Sequence, residues 1–218
     1  MTGSRTAAGT WSVTPCTPRT LWLLHARSRS LPLTLAALVA TSGSAAWAAD
    51  WIQGQPQFDH HARAPVIFLA TLLVSSAIGT GLLTRSDELD RTAVRPWWTL
   101  RLLHLGALTA LAAVLLALAV PGHPEAFGAP AMVRNTLGAT GLAAAGAALL
   151  GARLSWLPMT AYGGAAYLAA PRTPGGSAAV WAWPMQPGPQ GAAWTTALLL
   201  LALGGGLYVW RGARVERG

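Results

Sequence analysis

The residues that could do chemistry in this chain are few, and their spacing favours none of the common reactions. Asp59, His60 and His61 form the one acid–imidazole run. Adjacent side chains rarely converge on one ion without distant partners, so the run is a weak metal site. A single cysteine, Cys16, excludes an internal disulfide and any Cys-clustered zinc site. No G-x-S-x-G and no H-E-x-x-H occurs. All fifteen basic residues are Arg, so a Walker A loop, which needs Lys, is excluded. These residues predict no enzyme, no cofactor and no metal.

Two polar groups remain. Asp87, Glu88, Asp90 and Arg91 cluster in one short segment, and Asp87 and Arg91 have the i, i+4 spacing of a surface ion pair. Thr84 and Asp87 fit a capping box, and Pro96 stops a helix. The segment predicts a short exposed helix over Ser86–Arg95, either a solvated connector or a docking surface for a cytoplasmic partner. Arg134, Asn135 and Thr136 stand together before a long apolar run. Polar groups in lipid are costly unless paired, so these should face water, headgroups or a bundle interior. His104 is a titratable group just inside another apolar run and reads as interfacial.

The elements that must position these groups are membrane helices. Only 10% of the 218 residues are charged and 53% are hydrophobic, against about 25% charged in a soluble domain. Crossing a hydrocarbon core of roughly 30 Å takes about 20 apolar residues in a helix. Six charge-free stretches suit: residues 31–49, 64–84, 102–120, 135–152, 154–171 and 190–210. They do not alternate as barrel strands would. The expected fold is all-α, a polytopic transmembrane bundle of about six spans over residues 21–212. A disordered tail (1–20) and a short tail (213–218) flank it. Pro158 favours a kink early in the fifth span.

Arginine placement orients the bundle. With the N-terminus inside, only Arg63, Arg134 and Arg172 fall outside, and the other twelve fall inside. This obeys the positive-inside rule and puts both termini in the cytoplasm of a cell-membrane protein. The net charge of +8 then meets anionic lipid and needs no nucleic acid. A secretory signal also fits residues 1–48, through the run Leu31–Ala40 and the site Ala46-Trp47-Ala48; its removal would leave five spans. Leu21, Trp22, Arg27 and Arg29 mark a short apolar stretch with basic residues at one end, suited to a helix lying in the inner interface. Ala139, Ala143, Ala147 and Gly151 recur every four residues as a small-residue stripe for close helix packing. Gly163-Gly164 and Gly204-Gly205-Gly206 do similar work or mark bends. Trp181-Ala182-Trp183-Pro184 sits in an uncharged outer loop and reads as an interfacial anchor.

The layout and several local strings resemble the permease-like membrane components of ABC transporters from high-GC actinobacteria. The strings are Leu21–Arg29, Glu88–Ala93, Arg101–Leu105, Arg134-Asn135-Thr136-Leu137-Gly138 and Trp181–Pro184. The resemblance implies a six-helix permease subunit, working as a homo- or heterodimer with a separate ATP-binding subunit. By similarity to type-two exporters, Leu21–Arg29 would be the interfacial elbow and Ser86–Arg95 the helix that couples to the ATPase. The chain departs from exporters that carry a large extracellular domain, because its outer loops are short. Ion-coupled carriers generally hold an intramembrane charge. None lies within the six expected spans, so an energy source outside the chain is the economical expectation. The alternative is a non-transporting membrane protein with an assembly, sensing or immunity role, acting through helix packing.

Overall fold

The computed structural model describes residues 31–55, 64–82, 97–120, 127–171 and 173–214. The elbow residues Leu21, Trp22, Arg27 and Arg29, the docking residues Asp87, Glu88, Asp90 and Arg91, both tails and Asp59-His60-His61 lie outside the described residues.

Within the described residues every element is helical. Seven α-helices follow in order: α1 Leu31–Gln53, α2 Ala64–Gly81, α3 Trp97–Ala119, α4 Ala129–Leu149, α5 Leu157–Ala169, α6 Ala178–Trp181 and α7 Gly191–Arg211. Single 3-10 turns occupy Ala152–Leu154 and Trp183–Met185. Four helices are long and apolar enough to cross a membrane: α1, α2, α3 and α7.

The other two expected spans differ from the sequence reading. α4 is long, at 21 residues, but starts at Ala129 rather than residue 135. Pro130 near its N-terminus opens the helix early, and Arg134 is thereby drawn inside it. α5 has only 13 residues, or about 20 Å of helix. Its chain is delayed by Gly151, whose φ of 103° ends α4, and by the 3-10 turn that follows. α3 starts at Trp97 and so takes in Arg101.

The bundle is built around α4, which packs on α7, α2, α3 and α5. Fourteen of its residues are buried, most of them Ala, Gly and Thr. Its tightest neighbour is α7. A Cβ on Gly204 would fall on the carbonyl oxygen of Gly141, so the two backbones touch. Dispersion and backbone proximity must hold helices together in lipid, where no hydrophobic drive exists between them. Phe68 of α2 fills the space over Gly163 of α5 and stacks on Tyr167, with ring centroids 6.1 Å apart.

The exterior is apolar like the core, unlike that of a soluble bundle. Leu33, Leu69, Leu103, Leu118, Leu168 and Leu203 are all more than half exposed, whereas Thr71, Ser75, Thr136 and Thr140 are buried. Buried hydroxyls of Thr71, Ser75, Thr109 and Thr136 donate back to carbonyls three or four residues earlier in their own helices. A membrane-facing exterior of Leu with hydroxyls turned inward is the arrangement lipid requires. Exposed Trp47 and Trp51 mark one end of the bundle, and Trp98 and Trp210 the other.

Candidate functional site

Arg134 and Asn135 sit near the start of α4, on its second turn, and both are fully buried. The segment between α5 and α7 folds down to meet them. Gly175 and Gly176 adopt φ of 97° and 58°, a left-handed pair that turns the chain back. The short α6 and the following 3-10 turn then carry Trp183 onto α4. A Cβ on Gly138 would overlap the Trp183 ring, so this glycine makes the seat for the indole. Trp183 is therefore buried against Ala193, Ala197 and Leu142, and the interfacial placement expected for it is corrected. Bare backbone at Gly138 offers a large flat ring more contact than a surface position would. Trp181, by contrast, stays 41% exposed. The Tyr162 hydroxyl donates to the Trp181 carbonyl, and Trp194 Nε1 donates to the Gly188 carbonyl at 2.9 Å.

The guanidinium of Arg134 is held by oxygens from the folded segment. Its Nη1 donates to the Pro187 carbonyl at 2.7 Å and its Nη2 to the Gln186 carbonyl at 2.6 Å. Nε and Nη2 also donate to Asn135 Oδ1, at 3.1 and 3.0 Å. Asn135 Nδ2 donates to the Pro184 carbonyl at 2.7 Å. Only one orientation of the Asn135 amide satisfies both neighbours, because Arg134 offers only donors and Pro184 only an acceptor. Gln186 completes the set, its Oε1 accepting from the Gly175 N–H at 2.9 Å. Asp50 is the single acid among the described residues, and it is exposed on α1. The cation is thus balanced by carbonyl dipoles, and no carboxylate joins it among the described residues. Burying a charge this way is stable only while the oxygens stay in place.

Chemically, this arrangement is a staple. Its donors are turned to the chain's own carbonyls, so it fixes the 183–188 segment across the ends of α4 and α7. Arg134, Asn135 and Thr136 were visible in the sequence as a polar group; their partners, about fifty residues later, carried no signal of their own.

Three of the four stripe residues lie on α4. Ala139, Ala143 and Ala147 are fully buried. Ala139 contacts the Phe68–Met159 cluster, and Ala147 belongs to the main core. Gly151 is corrected: it lies beyond α4 and serves as the turn that ends it. The closest helix approach uses Gly141 and Gly204, off the stripe.

The opposite end of the bundle gathers cations. Arg101, Arg153, Arg211 and Arg214 lie there, four of the five described arginines. Gly212, at φ 77°, turns the chain after α7, and the Arg101 guanidinium packs on it. The Arg214 N–H donates to the Ala147 carbonyl at 2.9 Å and its Nη1 to the Leu149 carbonyl at 3.0 Å, closing the C-terminus of α4. His104 is partly buried one turn along α3 from Arg101. At the same end a cleft of roughly 170 Å³ opens between α1 and α2, lined by Leu33, Thr34, Ala37, Ala77, Thr80 and Gly81. Among the described residues no group of His, Cys, Asp and Glu could hold a metal. No family model, curated protein or solved structure matches this chain.

Proposed function

We propose that the chain is the membrane-spanning permease subunit of an ABC-type exporter, driven by a separate ATP-binding subunit in trans. The observation that carries this reading is the contrast between the two ends of the bundle. One end is stapled shut by Arg134 and plugged by Trp183; the other bears arginines and a cleft between α1 and α2. An exporter alternates access between its two ends, and ends that differ in this way support that reading; the cleft itself lies between neighbouring helices, with exposed Leu33 on its rim. In this reading α1–α5 and α7 all cross the cell membrane, and both termini are cytoplasmic. α5 crosses with the help of its flanking turns. The segment Ser86–Arg95, between α2 and α3 in the chain, docks the ATPase. Hydrolysis in the partner moves α1 and α2 against the rigid α4–α7 pair, and no residue of this chain makes or breaks a covalent bond.

The test is co-purification. Asp87→Arg with Glu88→Arg should abolish capture of an ATPase subunit from the source membrane while leaving the yield of the protein unchanged. Unchanged capture, or no ATPase with the wild type, rejects the assignment. The backbone contact of Gly141 with Gly204 favours a second reading, a non-transporting protein acting through helix packing. Absence of ATP-dependent flux from vesicles reconstituted with the wild-type chain and its membrane partners would select it.

A further inference from the structure

The cleft between α1 and α2 opens where α1 begins and α2 ends. Leu33, Thr34 and Ala37 line it from the first two turns of α1, and Ala77, Thr80 and Gly81 from the end of α2. The two helices meet beside it, where a Cβ on Gly81 would lie 2.7 Å from Thr34 Oγ1. The small side chains of Ala37 and Ala77 leave the space open. Thr80 Oγ1 donates back to the Ser76 and Ala77 carbonyls, at 2.9 and 3.2 Å, so it turns its donor away from any guest. Leucine, alanine and methyl groups remain as the wall, and what fills it should be apolar. The volume is roughly 170 Å³, and a void of about 150 Å³ already takes a benzene-sized ring.

Two stretches of chain leave from this rim. Residues 83–96 follow α2; they hold three acids, three arginines and no aromatic residue. Residues 1–30 precede α1, and among them Leu21-Trp22-Leu23-Leu24 is the longest apolar run. Six residues, His25 to Ser30, separate that run from Leu31. Extended, six residues cover about 20 Å. Leu33 and Ala37 lie only about 3–9 Å along the α1 axis from Leu31. The connector is therefore long enough to turn back. A chain that continued straight on would carry four large apolar side chains away from the membrane into water.

We propose that Leu21–Leu24 folds back on the bundle and seats the Trp22 indole in the α1–α2 cleft. The occupant is this chain's own amino-terminal segment. Arg27 and Arg29, in the connector, then stay at headgroup level, and the ring clamps the start of α1 to the end of α2. This seating needs residues 1–30 on the chain and is independent of transport. A helix lying in the interface, clear of the cleft, is the rival placement of the same residues.

The experiment is photo-crosslinking of the full chain in native membranes, with Trp22 replaced by 4-azidophenylalanine, a single-ring side chain. After illumination, peptide mass spectrometry should find the adduct within residues 33–37 or 77–81. Ala77→Trp, which fills the cleft from its own wall, should abolish that adduct while the protein stays folded. Trp22→Ala should lower the thermal unfolding temperature, and Trp22→Phe should restore most of the loss. Adducts with lipid alone place the ring in the interface and overturn the proposal. Adducts joining two chains assign the cleft to a second copy and overturn it too. An intramolecular adduct that persists in Ala77→Trp, or a mature chain whose mass lacks residues 1–30, also overturns it.

Discussion

Arg134 shows how much one side chain can decide. It is a buried cation whose stability depends on four hydrogen bonds to three oxygens, Asn135 Oδ1 and the Gln186 and Pro187 carbonyls. Removing it leaves two carbonyls and the Asn135 amide without their donor. Arg134→Ala should therefore lower stability by about 3–5 kcal/mol, in the range for breaking a buried charged contact. Thermal unfolding followed by tryptophan fluorescence checks this. Arg134→Lys should recover only part of the loss, because an ammonium cannot span the same fork. Thr140 gives the opposite sign. Its hydroxyl is buried with no hydrogen-bond partner, so Thr140→Val should stabilise by about 1 kcal/mol; an equal or lower unfolding temperature would show that the hydroxyl is satisfied. The sequence displayed Arg134 as a polar residue before an apolar run. It did not display the burial, since that depends on carbonyls, which every residue has and which therefore leave no compositional mark.

At the scale of elements, the lesson lies in α4 and its contact with α7. The stripe Ala139–Ala143–Ala147 reported that a small-residue face exists, and those residues are buried. It did not report the partner. Three consecutive glycines in α7 look alike in sequence, yet Gly204 meets backbone, Gly205 meets Leu105, and Gly206 meets nothing within 4 Å. Gly204→Leu should therefore disrupt the bundle, costing more than the usual 1–3 kcal/mol of core overpacking because the obstacle is a peptide group, whereas Gly206→Leu should leave stability unchanged. Comparing the unfolding temperatures of the two variants, two residues apart, isolates the contact from helix propensity. Boundaries were the less legible part. The assumption that Arg134 must stand outside a span moved the expected start of α4 six residues late, and the positive φ of Gly151 shortened the next helix in a way hydropathy alone does not register.

For the whole molecule, the legible property was the uneven distribution of arginine. Four of the five described arginines gather at one end of the bundle. A charged side chain resists transfer through lipid, so this end should be the cytoplasmic one. A fluorescent protein fused after Gly218 should then glow in intact cells, while alkaline phosphatase at the same site stays inactive; the reverse pattern would invert the molecule. What the chain carries or contacts was less legible, because apolar surfaces facing lipid are chemically alike whatever a protein does.

The staple also sets a timetable for biogenesis. Arg134 finds its acceptor on Gln186 across a separation of 52 residues. At about 5–20 residues per second, a ribosome needs roughly 3–10 s to make that stretch. During this interval the nascent α4 carries a cation whose carbonyl acceptors on Gln186 and Pro187 are not yet synthesised, so it should wait at the translocon or the bilayer surface and enter the membrane late, once the following segment arrives to receive it.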